Sequence, residues 1–179
     1  MKTPILMTTL AAGISLLAVA ETTRSEYFSG WPQGAAPAEV GKRVAENFLA
    51  RKLHYETLSD RAVQDVIYSE VITWSGSLTL AQLTKDQELT DRLVKKFEFY
   101  LSEPGLRKIN PAAHVDHRVF GALPLEIFIQ TKDPRCKSLG LSLADAQWEP
   151  PTPGGITAEA RYWIDDMYMI PIHRHPTGC

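Results

Sequence analysis

The sequence predicts an all-α protein made of repeated helical hairpins, and three observations carry that prediction. Apolar residues recur at helical spacing through most of the chain, matching short stretches recur at a near-constant interval, and strand signals are scarce. The composition supports a packed core, with 44% of 179 residues hydrophobic and 22% charged. A formal net charge of -2 gives no electrostatic reason to bind nucleic acid or an anionic membrane.

The N-terminus reads as a signal peptide. Lys2 precedes a mostly apolar run from Ile5 to Leu17, and Ala18-Val19-Ala20 before Glu21 fits a small-x-small cleavage site. Removal of residues 1–20 is expected, giving an exported protein, periplasmic or secreted, with no membrane association after cleavage. The two cysteines, Cys136 and Cys179, permit a disulfide in an exported protein, but neither is assigned a role.

Residues 21–36 form an extended lead-in, since Gly30, Pro32 and Gly34 surround Trp31. A domain is expected over 37–179. Its first helix opens at Ala38, with Val40, Val44, Phe48 and Leu49 on one stripe, and runs to about Leu53. A second apolar segment spans Val66–Leu83 and ends at Thr84-Lys85-Asp86; its β-branched start, Val66–Ile72, is ambiguous between helix and strand. Leu89, Leu93, Phe97 and Leu101 then stand four apart, so the short turn joins two helices into an antiparallel hairpin.

The hairpin repeats. Gly76-Ser77-Leu78-Thr79-Leu80 has a counterpart in Gly121-Ala122-Leu123-Pro124-Leu125, 45 residues on, and Thr84-Lys85-Asp86 recurs 47 residues on as Thr131-Lys132-Asp133. Proline suits a first helical turn, so the second outer helix is predicted as Pro134–Trp148. A proline- and glycine-rich loop follows, Glu149–Gly155, and a third unit opens near Thr157 or Ala158. Asp116 and Asp165, 49 residues apart, then occupy comparable places at the starts of successive inner helices.

The third unit contains Arg161-Tyr162-Trp163-Ile164-Asp165-Asp166-Met167-Tyr168-Met169-Ile170, two carboxylates inside an apolar and aromatic run. Burial among aromatics disfavours a carboxylate's charge, which suits a general acid. The alternative is a half-buried amphipathic helix with Asp165 or Asp166 solvated or paired with Arg161. Asp116 and Asp165 are a candidate acid pair for sugar-bond chemistry, or else two ordinary helix-start aspartates. His114, His117, His173 and His175 invite comparison with metal sites. No metal or other cofactor is expected, because no cysteine cluster, His-Glu-x-x-His, phosphate loop or dinucleotide fingerprint accompanies them. Trp74, Tyr68, Trp163 and Tyr162 are placed either to stack on sugar rings or to pack the core.

Three runs, Val115-Asp116-His117-Arg118-Val119-Phe120-Gly121, Ala144-Asp145-Ala146-Gln147-Trp148 and Ala158–Met167, resemble the unsaturated rhamnogalacturonyl hydrolases (glycoside hydrolase family 105), relatives of the unsaturated glucuronyl hydrolases of family 88. The resemblance covers roughly Pro37 to Ile170. It implies an (α/α)6 barrel of six hairpins and an oligosaccharide substrate ending in a 4,5-unsaturated uronic acid, left by a pectin-type lyase. It further implies that Asp165 protonates the double bond and then activates water, with Asp116 as the second aspartate. Trp163, Arg161, Trp74 and His117 would contact substrate, Arg161 by turning toward the substrate carboxylate. About three hairpins fit in the chain, so the N-terminal portion of such a barrel is expected, and whether that portion turns substrate over by itself is left open. A non-catalytic exported repeat module that binds glycan or protein is the competing expectation.

Overall fold

The computed structural model describes residues 29–53, 56, 68–110, 112–149 and 151–170. The predicted signal peptide, His173, His175 and Cys179 lie outside these residues. Among them there is no β-strand, only one isolated antiparallel bridge between Pro151 and Thr157. The protein is all-α. Two units divide between Pro37 and Ala38. In the first, residues 29–36 carry a turn in which Ala35 N donates to Pro32 O at 2.9 Å.

Helix α1, Pro37–Ala50, starts on a proline that loses nothing at a position where the N–H has no helical partner. It buries Ala45 and Phe48, while Val40 and Val44 stay 39% and 52% exposed, so only part of the predicted stripe faces the core. The helix also stops short of Leu53. Its last carbonyls find a cation instead: Lys96 Nζ lies 3.4 Å from Leu49 O and 2.8 Å from Arg51 O.

Helix α2, Tyr68–Thr84, settles the ambiguous segment as helix from Tyr68 onward. Four of its hydroxyls are satisfied within the helix, Thr73, Ser77, Thr79 and Thr84 each donating to the carbonyl four residues back. Lys85, at φ 54°, ends the helix in the left-handed region, and Asp86 caps the next by accepting from Leu89 N at 3.0 Å. Helix α3, Gln87–Phe97, buries Leu89, Leu93 and Phe97 as their spacing predicts, while Leu101 falls in a 3-10 turn, Glu98–Leu101. A short helix α4, Glu103–Leu106, follows, capped by Ser102.

The second hairpin copies these turn devices. Its first arm is helix α5, Val115–Arg118, a 3-10 turn Val119–Gly121 and helix α6, Ala122–Thr131. Lys132, at φ 64°, closes α6, and Asp133 accepts from Arg135 N at 2.9 Å to open α7, Pro134–Trp148. Close crossing of the two arms needs Gly140, where a Cβ would sit 2.5 Å from Leu125 Cγ and 3.0 Å from Gly121 O. Cys136 on α7 is a free, buried thiol whose pKa is pushed by burial up to about 11.

The first arms α2 and α6 pack against each other, so the hairpins stand side by side. Trp74 is their hub. Fully buried, it lies 5.2 Å from the Phe48 ring, 5.8 Å from Phe97 and 6.4 Å from Tyr100, with its indole N–H donating to Leu93 O at 3.3 Å. Phe120 of the second hairpin completes the cluster, 5.0 Å from Tyr100 and 5.8 Å from Phe97. Trp74 is thus core, with no surface left for a sugar, which corrects its assignment to the substrate site.

The third unit departs further from expectation. Residues 161–165 are not helical, and helix α8 is only Asp166–Met169.

Candidate active site

The site forms where α5 meets the segment 157–170. His114 caps α5, its Nδ1 accepting from Asp116 N at 3.2 Å. That nitrogen is also 3.5 Å from Asp116 Oδ2, but as an acceptor it has no proton to offer the carboxylate. One turn on, His117 Nε2 is 3.1 Å from Asn110 Nδ2, and the two imidazole rings stand 5.5 Å apart. Asp116 is thereby fixed in a first helical turn, half-exposed toward the incoming loop.

On the other side, Asp166 organises the chain. Its Oδ2 accepts from Arg161 N at 2.6 Å and Trp163 N at 3.4 Å, the two amides flanking Tyr162, and its Oδ1 accepts from Arg161 Nε and Nη2 at 3.0 and 2.8 Å. Those bonds hold Tyr162 in the left-handed region at φ 62° and turn its ring outward, 82% exposed. Burial pushes the Asp166 carboxyl up, but the Arg161 guanidinium and the two amides outweigh it and hold the pKa below the usual aspartate range.

Arg161 then reaches past Asp166 to both candidate acids. Its Nη2 bonds Asp165 Oδ2 at 2.9 Å and its Nη1 pairs with Asp116 Oδ1 at 3.2 Å. One guanidinium therefore faces three carboxylates. Burial opposes its charge, and the carboxylates overcome that and raise its pKa. With every guanidinium nitrogen engaged, Arg161 is not turned toward a substrate carboxylate, and the excess of negative charge would repel one. The expected free Arg161 is corrected: it is the clamp that brings Asp116 and Asp165 together.

Among the described residues, the aromatic enclosure expected around Asp165 is also absent. Its side chain is 44% exposed, and Trp163, Ile164 and Met167 are 63%, 83% and 73% exposed. The non-helical backbone of 161–165 points Trp163, Ile164 and Asp165 away from the core. Trp163 still adjoins the acids, because the Arg161 guanidinium lies 4.6 Å over its ring. Beside it runs a groove of about 600 Å³ lined by Trp148, Ile156, Ala160, Trp163 and Ile170, with Asp166 at its edge.

Of the predicted residues, Asp116, Arg161, Asp165 and Trp163 come together, His117 lies on α5 next to Asp116 in sequence, and Trp74 stands apart in the core. Among the described residues no three or more metal-ligating side chains converge. Sequence reasoning missed Arg118 and Glu159, whose buried ion pair at 3.2 Å also joins α5 to the segment 157–170. No local periodicity marks a pair 41 residues apart.

Side-by-side helical hairpins thus present two aspartates, gathered by one arginine, beside an exposed tryptophan. The family model described as Glycosyl Hydrolase Family 88 matches residues 40–173, and the chain belongs to that family. This places it among glycosidases that act on unsaturated uronic acids. Comparison with curated proteins and with solved structures returned no match.

Proposed function

We propose that the chain carries the acid cluster of an exported unsaturated rhamnogalacturonyl hydrolase, releasing a 4,5-unsaturated uronic acid from the non-reducing end of pectin-derived oligosaccharides. One observation carries the reading: in a family 88 chain, Arg161 gathers Asp116 and Asp165, side chains from two separate helix starts, at one rim. Asp165 protonates the sugar double bond and then, as carboxylate, takes a proton from the water that attacks the adjacent ring carbon. The hydrated ring rearranges and releases its neighbour. Arg161 occupies Oδ2 of Asp165, and among the described residues Oδ1 accepts no hydrogen bond, which leaves that oxygen open to the substrate. Asp116 supports the second step, and Trp163 offers the ring face not covered by Arg161. The exported character rests on the leader-like residues 1–20.

The test is to incubate the chain with an unsaturated rhamnogalacturonan disaccharide and, separately, an unsaturated glucuronyl disaccharide, following loss of the ultraviolet absorbance of the double bond. Faster loss with the first is expected. Loss with the second alone overturns the pectin assignment, and loss with neither overturns the enzymatic reading. The exposure of Tyr162 and Trp163 favours one other reading, glycan binding without turnover, which would show as saturable binding of the disaccharide at constant absorbance.

A further inference from the structure

The ions that join Asp116 to Asp165 are poorly placed to fix a distance. Asp116 is 33% exposed and Asp165 44%, and ion pairs in that setting contribute about 0–1 kcal/mol, too little to hold the two segments in register by themselves. The same two segments carry a second pair of a different kind. Arg118 Nε donates to Glu159 Oε1 at 3.2 Å, with side-chain exposures of only 10% and 7%. Arg118 stands two residues after Asp116 on α5, and Glu159 two residues before Arg161, so this contact joins the same two segments that the clamp joins.

The arrangement is costly in itself. Glu159 Oε2 is buried with no hydrogen-bond partner, and burial pushes the Glu159 pKa up while Arg118 opposes the shift. A buried ion pair is often no more stabilising than an apolar pair of the same size, whereas it does dictate one geometry, so its use here is directional. The flanking loop is tied down to match. Glu159 N donates to Thr157 Oγ1 at 3.1 Å, and Thr157 Oγ1 donates to Gln147 O at the end of α7.

We infer that Arg118 and Glu159 are a positioning pair, a dry strut that sets the reach of Arg161 and thereby the separation of Asp116 from Asp165. The consequence for catalysis rests on the function proposed above; the geometric consequence does not.

A double-mutant cycle between Arg161→Met and Asp116→Asn, read by urea unfolding of the full chain, measures the clamp directly. In the otherwise unaltered chain the two changes should couple by about fivefold in the unfolding equilibrium constant, the upper end for a half-exposed pair. In the Arg118→Met/Glu159→Met background, which keeps volume and removes direction, the coupling should fall to about one. Glu159→Gln retains an acceptor for Arg118 Nε and should restore it. Should the double-Met chain fail to fold, Arg118→Lys keeps the charge, loses the directed Nε bond, and should lower the coupling in the same way. Coupling unchanged in the folded strut variants assigns the pair to stability alone and overturns the inference. On an unsaturated disaccharide, Arg118→Lys should lower kcat about tenfold with KM unchanged. If the parent chain turns nothing over, the proposed activity fails while the unfolding cycle still decides the strut.

Discussion

Among the described residues, three non-glycine residues hold positive φ, and they do so for two different reasons. Lys85 and Lys132 each end a helix, are solvated, and hand over to an aspartate that caps the next helix. These turns are closed by neighbours a few residues away. Tyr162 is bulkier, gains no core contact and is held by a carboxylate on the far side of its own loop, itself pinned by Arg161. The first kind of turn is built into the hairpins; the second is built into the candidate site and depends on charge. The hairpins are consequently insensitive to the state of the acids, while the site segment is not.

The largest contrast should come from the two tryptophans. Trp74→Ala should cost about 3–5 kcal/mol of stability, because it empties the hub of the aromatic cluster. Trp163→Ala should change stability by less than about 0.5 kcal/mol, since its ring is mostly exposed. Urea unfolding of both variants measures the gap, and equal losses would mean that the site segment is packed as tightly as the hairpins.

Next in size, Asp166→Ala should cost about 3 kcal/mol by leaving Arg161 and two amides without their shared acceptor. The pH dependence has a definite sign. Because the Asp166 pKa is lowered in the fold, its contribution is present above the ordinary aspartate range and is lost as pH falls through the lowered value. Glu159 runs the other way: its pKa is raised, so the stability linked to its protonated form is lost as pH rises through the raised value. Asp166→Asn should therefore flatten the acid limb of a stability–pH curve, and Glu159→Gln should flatten the rise side. Parallel curves for both variants and the parent would contradict these assignments.

Smaller effects belong to the hairpin turns. Asp86→Ala and Asp133→Ala should each cost about 1 kcal/mol, the usual loss for an N-cap, readable as a lower urea midpoint with unchanged slope. Smallest, Lys85→Gly and Lys132→Gly should stabilise by up to about 1 kcal/mol by relieving left-handed strain. Tyr162→Gly relieves the same strain. It sharpens the comparison if it also weakens retention of the disaccharide, which neither lysine variant should do.

What could be read in the sequence divides along the same line. The repeated Thr-Lys-Asp turns, the buried Leu89-Leu93-Phe97 stripe and the bounds of α7 were legible because each is settled by residues within one or two turns. Asp116 and Asp165 could be paired because the repeat places them at equivalent helix starts. The helix expected through Arg161–Ile170 forms only over Asp166–Met169, since the side chain of Asp166 captures the amides of Arg161 and Trp163 and diverts the backbone before it. Arg161 could not be placed from spacing alone: the same four-residue offset from Asp165 permits a pair, a clamp or a free cation, and contacts 45 residues away in sequence decide among them. The aromatic character of Trp74 and Trp163 is identical in the sequence, and only the packing of Phe48, Phe97 and Tyr100 around Trp74 separates core from site.

The central claim is that Asp165 moves the proton while Asp166 holds the loop. Turnover of an unsaturated rhamnogalacturonan disaccharide by the parent chain, Asp165→Asn and Asp166→Asn, each checked for an intact fold by near-ultraviolet circular dichroism, tests it most directly. The account predicts that the parent consumes the double-bond absorbance, that Asp165→Asn is folded and loses at least about a hundredfold in kcat, and that Asp166→Asn loses stability before it loses chemistry. A folded Asp165→Asn variant with undiminished turnover would contradict it.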